Sequence, residues 1–296
     1  MIKTDYFEVI KRFNNLDKEE WSIQNLNLPN GFIGKNLTSL VLDTGVDENH
    51  IDLSGSVQGY DFTGGKNPID ENGHGTFCTG LICSKNKKIS VANGSKSISG
   101  KVLFGDARDA RLNFERSISN AISFGIENKV DCISMSIGFP RRIESIEKLI
   151  NVATEKNIVC FAAAGNEGMV GSPYKSYPAS YTNVISVAAS NSRGLPTWFS
   201  TKGIGDNKLE QPEFAISSRE FFYGLLPNNG YGKMIGTSMS TPVLAASFLV
   251  WKEMIFDGEL KEKNMLEEFR VWLKSKSTNN SNYKWNQYLG WGTFRF

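Results

Sequence analysis

A serine hydroxyl attacks a carbonyl only once a neighbouring base has taken its proton, and this chain offers few bases suited to neutral pH. It holds two histidines, His50 and His74. His74 stands in Asn72-Gly73-His74-Gly75-Thr76, where the flanking glycines let the backbone turn sharply and a substrate come close. His50, in Glu48-Asn49-His50-Ile51, reads as a surface-turn residue. The candidate nucleophile is Ser238, in Gly236-Thr237-Ser238-Met239-Ser240-Thr241-Pro242, directly before an apolar run that ends at Trp251. Pro242 suits the first turn of a helix, where its missing N–H has no partner to lose. The other role open to Ser238 or Thr237 is that of helix N-cap. Such a pair needs a carboxylate that orients the imidazole and steadies its charged form. Asp43 closes the apolar run Leu40-Val41-Leu42 and precedes Thr44-Gly45. Its other reading is an aspartate that caps a turn.

To meet, these three residues need strands that end, and helices that begin, at one edge. In open parallel α/β sheets, sites gather outside the carboxyl ends of the strands. Helix N-termini at that edge favour developing negative charge. From Asn36 onward, apolar runs of strand length alternate with helical runs, the mark of a parallel sheet covered on both faces. Strands are expected at 37–42, 100–104, 130–136, 157–163 and 183–189, and helices at 74–83, 115–128, 143–156 and 238–256. Residues 260–276 read as a further amphipathic helix, 277–282 as an exposed loop, and 201–235 as loops with a β-hairpin. Residues 4–13 read as a short amphipathic helix. No repeat or low-complexity linker divides the 296 residues, which suit one domain.

With 22% charged residues and a formal net charge of +2, the composition gives no reason to expect a nucleic-acid or acidic partner. No apolar stretch approaches the roughly eighteen residues of a membrane span, and no apolar segment follows a basic start as in a secretory signal. Cys78, Cys83, Cys132 and Cys160 fall inside expected helices and strands without CxxC spacing, and read as reduced, packed thiols. An initial methionine and free cysteines point to a cytoplasmic protein. A monomer is expected.

Asp43-Thr44-Gly45, His74-Gly75-Thr76 and Gly236-Thr237-Ser238-Met239-x-x-Pro242 resemble, in that order, the three signature segments of subtilisin-like serine proteases. Phe161-Ala162-Ala163-Ala164-Gly165-Asn166-Glu167-Gly168 resembles the family's oxyanion-hole segment. Asn166 and the Ser238 backbone N–H would then meet the charge on the former carbonyl oxygen. The resemblance covers residues 21–296 as a catalytic domain, after an N-terminal extension at 1–20. It implies an α/β, three-layer fold: a mostly parallel central sheet with helices on both faces. It implies a serine endopeptidase that works through an acyl-enzyme on a peptide or protein substrate, without a cofactor.

The cleft follows from the same resemblance. Ser136, Ile137 and Gly138 match the extended segment that pairs with the substrate backbone. Ala163, Ala164, Gly165 and Asn166 would wall the pocket for the residue before the cut. Arg111 and Asn113 match the opposite edge, where the family usually has a glycine-rich loop. The bulkier Asp109-Ala110-Arg111-Leu112-Asn113-Phe114 found here favours narrow specificity. Arg108, Arg111, Arg141 and Arg142 suit acidic or polar flanking residues and Glu167 a basic residue at the cut, plain solvation being their other reading. Phe77, Ser240 and Asn93 depart from residues common in the family without touching a triad atom.

Asp52 matches an aspartate that helps hold a structural calcium in many subtilisins. The loop that would complete the site has a shortened counterpart, Cys83-Ser84-Lys85-Asn86-Lys87-Lys88-Ile89, rich in lysine. Calcium needs several oxygen ligands, so this site is expected to be empty and Asp52 to serve a turn or salt bridge. The role expected of the protein is removal of the leader from a ribosomally made peptide. Two other classes stay open: a transferase or macrocyclase using the same acyl-enzyme, and an inactive peptide-binding homologue.

Overall fold

Along Thr38–Asp43, Leu40 and Leu42 belong to one buried cluster and Val41 to another. The strand therefore buries both faces, as a period of two requires. Cys132–Met135 and Val159–Ala163 repeat the division, with Cys132, Val159 and Phe161 on one side and Ile133, Met135, Cys160 and Ala162 on the other. Strands apolar on both faces belong in the middle of a parallel sheet covered by helices.

The computed structural model describes residues 6–10, 23, 26–170, 175–203, 205–206, 209–217, 221–255, 264–278 and 284–296. Its strands run, in chain order, Tyr6–Ile10 (β1), Thr38–Asp43 (β2), Val57–Asp61 (β3), Lys96–Lys101 (β4), Cys132–Met135 (β5), Val159–Ala163 (β6) and Val184–Ser190 (β7). They continue with Gly205–Asp206 (β8), Leu209–Glu210 (β9), Phe214–Ser217 (β10), Phe222–Leu226 (β11), Gly230–Ile235 (β12), Ser277–Thr278 (β13) and Thr293–Phe294 (β14). Nine of them form one sheet in the order β13-β14-β10-β7-β6-β5-β2-β4-β3. Every neighbouring pair is parallel except β13 with β14. The helices His74–Cys83 (α1), Thr237–Ile255 (α4) and Met265–Lys276 (α5) bury their apolar residues on one face. Phe114–Glu127 (α2) and Glu144–Glu155 (α3) cover the other. The three-layer α/β expectation holds.

From β2 the chain first fills one side of the sheet with β3 and β4, then crosses to build β5 on the other. The carboxyl end of β2 is thus a switch point, where such folds open a crevice.

Several expectations need correction. The strand awaited at 100–104 is β4, which begins at Lys96 and has the polar or charged residues Lys96, Ser97, Ser99 and Lys101 among its six. A buried Ser39–Ser97 hydroxyl bond of 2.7 Å, in place of apolar contact, joins it to β2. β10 lies inside the stretch read as loops and hairpin, because a four-residue strand is too short to show periodicity. β1 replaces the helix expected over 4–13, whose other residues lie outside the described ones. Its aromatic and β-branched residues favour a strand, and β12 offers an edge on which all five pair antiparallel. Residues 277–278 form β13 in place of loop. The helix expected over 260–276 is described from Met265, with the Asn264 side chain capping the Glu267 N–H.

Candidate active site

Asp43 is the last residue of β2 and His74 the first of α1. His74 Nδ1 lies 2.7 Å from Asp43 Oδ1, and both residues are buried. An ionised carboxylate only accepts, so the proton of this bond sits on Nδ1, and Nε2 is the nitrogen that carries the lone pair whenever the ring is neutral. Asp43 Oδ1 also accepts the Thr44 N–H at 2.8 Å, while Oδ2 has no hydrogen-bond partner among the described residues. Glycine permits this closeness. A Cβ on Gly75 would stand 2.1 Å from the Gly45 carbonyl oxygen, so any side chain there would drive α1 away from β2.

Asp70 is the important residue that sequence reasoning missed. It is buried, and its Oδ1 accepts the Thr44 hydroxyl at 2.9 Å and the N–H groups of Asn72 and Gly73 at 3.1 and 2.8 Å. Its Oδ2 accepts the N–H and the hydroxyl of Thr76, each at 2.7 Å. The Thr44 hydroxyl in turn accepts the Gly75 N–H at 2.9 Å. Gly73, at the start of α1, has no side chain with which to cap it, so this acid satisfies the first helical donors instead. It also ties them to the turn after β2.

Ser238 is the second residue of α4, whose residues from Thr237 to Trp251 are all buried. Pro242 therefore stands in the second turn of the helix, not the first as its sequence setting led us to expect. The Ser238 carbonyl accepts the Ser136 hydroxyl at 2.7 Å and the Cys78 thiol at 3.6 Å. Cys78 lies one turn beyond His74 on α1, with its sulfur 3.8 Å from His74 Nδ1. The nucleophile candidate and the histidine thus share a neighbour. Burial pushes the Cys78 thiol up to about 11, so at neutral pH it remains an S–H donor.

Asn166 follows β6 after Gly165, whose φ of +110° suits glycine. Its Oδ1 accepts both the N–H and the hydroxyl of Thr237, at 3.0 Å each. The Thr237 N–H can only donate, so the amide atom it meets is the oxygen. The Gly165 N–H donates to the same hydroxyl at 3.3 Å.

The model of the Subtilase family matches residues 34–292, a span that contains every one of these groups. The chain is a subtilase. It is 32% identical over 252 residues to the Major intracellular serine protease of Bacillus subtilis (strain 168), covering 80% of this chain and 76% of that relative. Subtilisin amylosacchariticus of Bacillus subtilis subsp. amylosacchariticus is 35% identical over 223 residues, which cover 73% of this chain and 55% of that protein. The subtilase thus spans about half the length of that second relative. Sphericase has the same fold, with a TM-score of 0.74 at 24% identity over 93% of this chain and 97% of its own. Family membership makes this subtilase a serine peptidase of the subtilisin type.

The other residues singled out in the sequence fall along the same edge, with differing freedom. Ser136 and Ile137 follow directly on β5 and are buried, and Gly138 is exposed. Ala163 and Ala164 are buried at the end of β6, with Gly165 and Asn166 half-buried beyond them. Asn113 is already engaged, since its Oδ1 caps α2 by accepting the Arg116 N–H at 3.0 Å. Arg108 pairs with Glu71 at 2.8 Å and Asp106 at 2.7 Å and lies over the Phe104 ring. Arg142 pairs with Glu147 at 2.6 Å. Arg111 and Arg141 are exposed, with no ion pair among the described residues. Glu167 Oε2 accepts the Thr201 hydroxyl at 2.8 Å beside Gly165.

His50 is not a surface-turn residue. It is fully buried; its Nε2 donates to the Gly230 carbonyl at 3.1 Å and its Nδ1 accepts the Asp52 N–H at 3.1 Å. Asp52 Oδ2 accepts the Tyr231 hydroxyl at 3.0 Å, a tie between the turn and the β11–β12 hairpin. All four cysteines are buried free thiols. Among the described residues, the group of potential metal ligands that draws together is Asp43, His74 and Cys78, within 4.8 Å of one another. It coincides with the hydrogen-bonded pair itself. No helix among the described residues is long and apolar enough to cross a membrane. Phe77, a departure from the family pattern, is buried where a Cβ on Gly224 of β11 would be 2.7 Å from its ring.

Proposed function

We propose that this subtilase hydrolyses peptide bonds through an acyl-enzyme on Ser238, with His74 as the base, Asp43 as its orienting carboxylate and Asn166 in the oxyanion hole. The observation that carries this reading is the buried 2.7 Å bond from His74 Nδ1 to Asp43 Oδ1. It leaves Nε2 as the lone pair of a neutral imidazole, the form a general base must take. His74 takes the Ser238 proton as Oγ attacks the scissile carbonyl. The carbonyl oxygen becomes an oxyanion, and Asn166 Nδ2 with the Ser238 N–H meets its charge. His74 then passes the proton to the departing amine. Water attacks the ester with His74 again as base, and the acid product and free Ser238 are restored. The cut takes no cofactor in this reading.

The substrate is a peptide or protein segment laid along Ser136, Ile137 and Gly138, with the side chain before the cut against Ala163, Ala164 and Gly165. The bulky opposite edge at 109–114, with Arg111 and Asn113, narrows the choice, and Arg111 and Arg141, which have no ion pair among the described residues, favour acidic flanks. Trimming of a leader from a ribosomally made peptide, inside the cytoplasm, fits such narrowness, and one relative of the chain carries the name Major intracellular serine protease. We take the calcium position at Asp52 to be unused, its carboxylate being engaged by Tyr231.

Labelling with a fluorophosphonate tests the chemistry. The adduct is expected at Ser238, and Ser238→Ala should lose both label and turnover. Label that persists in that variant would remove the assignment. Product masses from a peptide library then report the cut site, and cyclised products in place of hydrolysed ones would replace the hydrolase reading.

A further inference from the structure

We propose that the Ser136 hydroxyl, with the Cys78 thiol beside it, is a positioning group for the nucleophile and replaces a helix hydrogen bond that Pro242 deletes. In a regular α-helix the carbonyl of residue i accepts the N–H of residue i+4. For Ser238 that donor would belong to residue 242, and proline has none. Buried carbonyls are seldom left unpaired. Here two side chains converge on the orphan from other elements, Ser136 from the segment after β5 at 2.7 Å and Cys78 from α1 at 3.6 Å. The preceding carbonyl offers a contrast, because Thr237 O is served from within α4 by the Thr241 hydroxyl at 2.9 Å.

The consequence is geometrical. The peptide plane after Ser238 is fixed from β5, the strand that pairs with Asp43's β2, and from α1, the helix that carries His74. The nucleophile is therefore referenced to the same two elements as its partners, and the first turns of α4 cannot rotate without breaking that reference. A helix bond from residue 242 would have tied Ser238 only to its own helix.

The test is a cycle of variants read by kcat and KM on a peptide substrate, normalised by fluorophosphonate titration of active sites. Ser136→Ala keeps the backbone along the cleft, so KM should hold while kcat falls about tenfold, the scale of a sub-ångström misplacement. Cys78→Ala should give a smaller loss. Pro242→Ala returns an N–H to the helix, so Ser136→Ala/Pro242→Ala should recover most of the lost kcat. A packing role alone would not produce that recovery. Parental kcat in Ser136→Ala, or a loss that the double variant keeps while circular dichroism shows native structure, overturns the proposal. If Ser136→Ala does not fold, Cys78→Ala with and without Pro242→Ala reads the same coupling, and simple additivity there is the refuting result. The inference rests on Ser238 as nucleophile. An adduct elsewhere in the parent enzyme ends that reading first, whereas an adduct at Ser238 with unaltered variants ends only this one.

Discussion

Asp70→Asn exchanges one atom in the hub behind His74, and its effect can be worked out from the contacts. The carboxylate accepts five bonds, three on Oδ1 and two on Oδ2. An asparagine keeps one accepting oxygen, and the milder orientation turns its NH2 toward Thr76, so that a donor faces the Thr76 N–H. The Thr76 hydroxyl can rotate, but the N–H cannot. One orphaned buried donor costs about 1–3 kcal/mol, and the opposed donors bring the total to about 3 kcal/mol. For a domain of this size that corresponds to a fall in melting temperature of about 5–10 °C. The functional loss follows a separate route. Asp70 Oδ2 holds the N–H and the hydroxyl of Thr76, in the first turn of α1 that His74 opens. A shift of that turn therefore moves His74 against Asp43 and loosens their bond. We expect kcat to fall about 10- to 100-fold with KM nearly unchanged, because the cleft-lining residues are untouched. Calorimetry and steady-state kinetics on titrated enzyme measure the two effects. Thr76→Val should be non-additive with Asp70→Asn, since both act through the Thr76 contacts on Oδ2. Parental melting temperature and kcat in Asp70→Asn would refute the hub.

Asn166→Ala should lower kcat by about 10²–10³ with little change in KM, the loss known for the equivalent donor in subtilisin itself. A loss confined to KM would count against an oxyanion role. Burial holds the Cys78 and Cys83 thiols near 11 and the Cys160 thiol near 12, against 9.0 when unfolded. The unfolded chain ionises first, so the stability these thiols contribute is complete below pH 9 and is lost as pH rises through 11 to 12. Urea midpoints should fall across that window, and iodoacetamide should modify the four thiols only after denaturation; rapid native modification would contradict the burial. His50→Ala breaks two partly buried hydrogen bonds and should cost about 1–3 kcal/mol of stability, yet leave Ser238 open to fluorophosphonate. Loss of labelling in a folded His50→Ala enzyme would make His50 part of the chemistry.

The triad candidates could be read from the sequence because chemistry restricts them to a few residue types at strand and helix ends. Two histidines leave little choice, and only His74 lies between glycines. The central strands were readable for a similar reason: Leu40-Val41-Leu42 or Cys160-Phe161-Ala162 can only be buried on both faces. Asp70 was not readable, because Asp70-Glu71-Asn72-Gly73 has the composition of any surface turn. Its meaning comes from Thr44, Gly73 and Thr76 converging on one carboxylate in space. His50 failed in the same way, its partners Gly230 and Tyr231 lying far along the chain. The Pro242 rule gave the wrong turn because the helix starts among small polar residues, Thr237 to Thr241, which reveal no apolar face until they are packed. β1 turned on an open edge of β12, which nothing within Tyr6–Ile10 announces.

The burial of α4 from Thr237 through Trp251 also sets how the enzyme loses activity. An element with no solvent-facing side exchanges its amide hydrogens only when the whole domain opens. Ser238 rides on that element, so fraying of surface loops cannot displace it, and an inhibitor that reacts there, as the proposed mechanism has it, meets a hydroxyl already held in place. Heat inactivation should then coincide with global unfolding, with no cooler transition in which a folded but inactive enzyme accumulates.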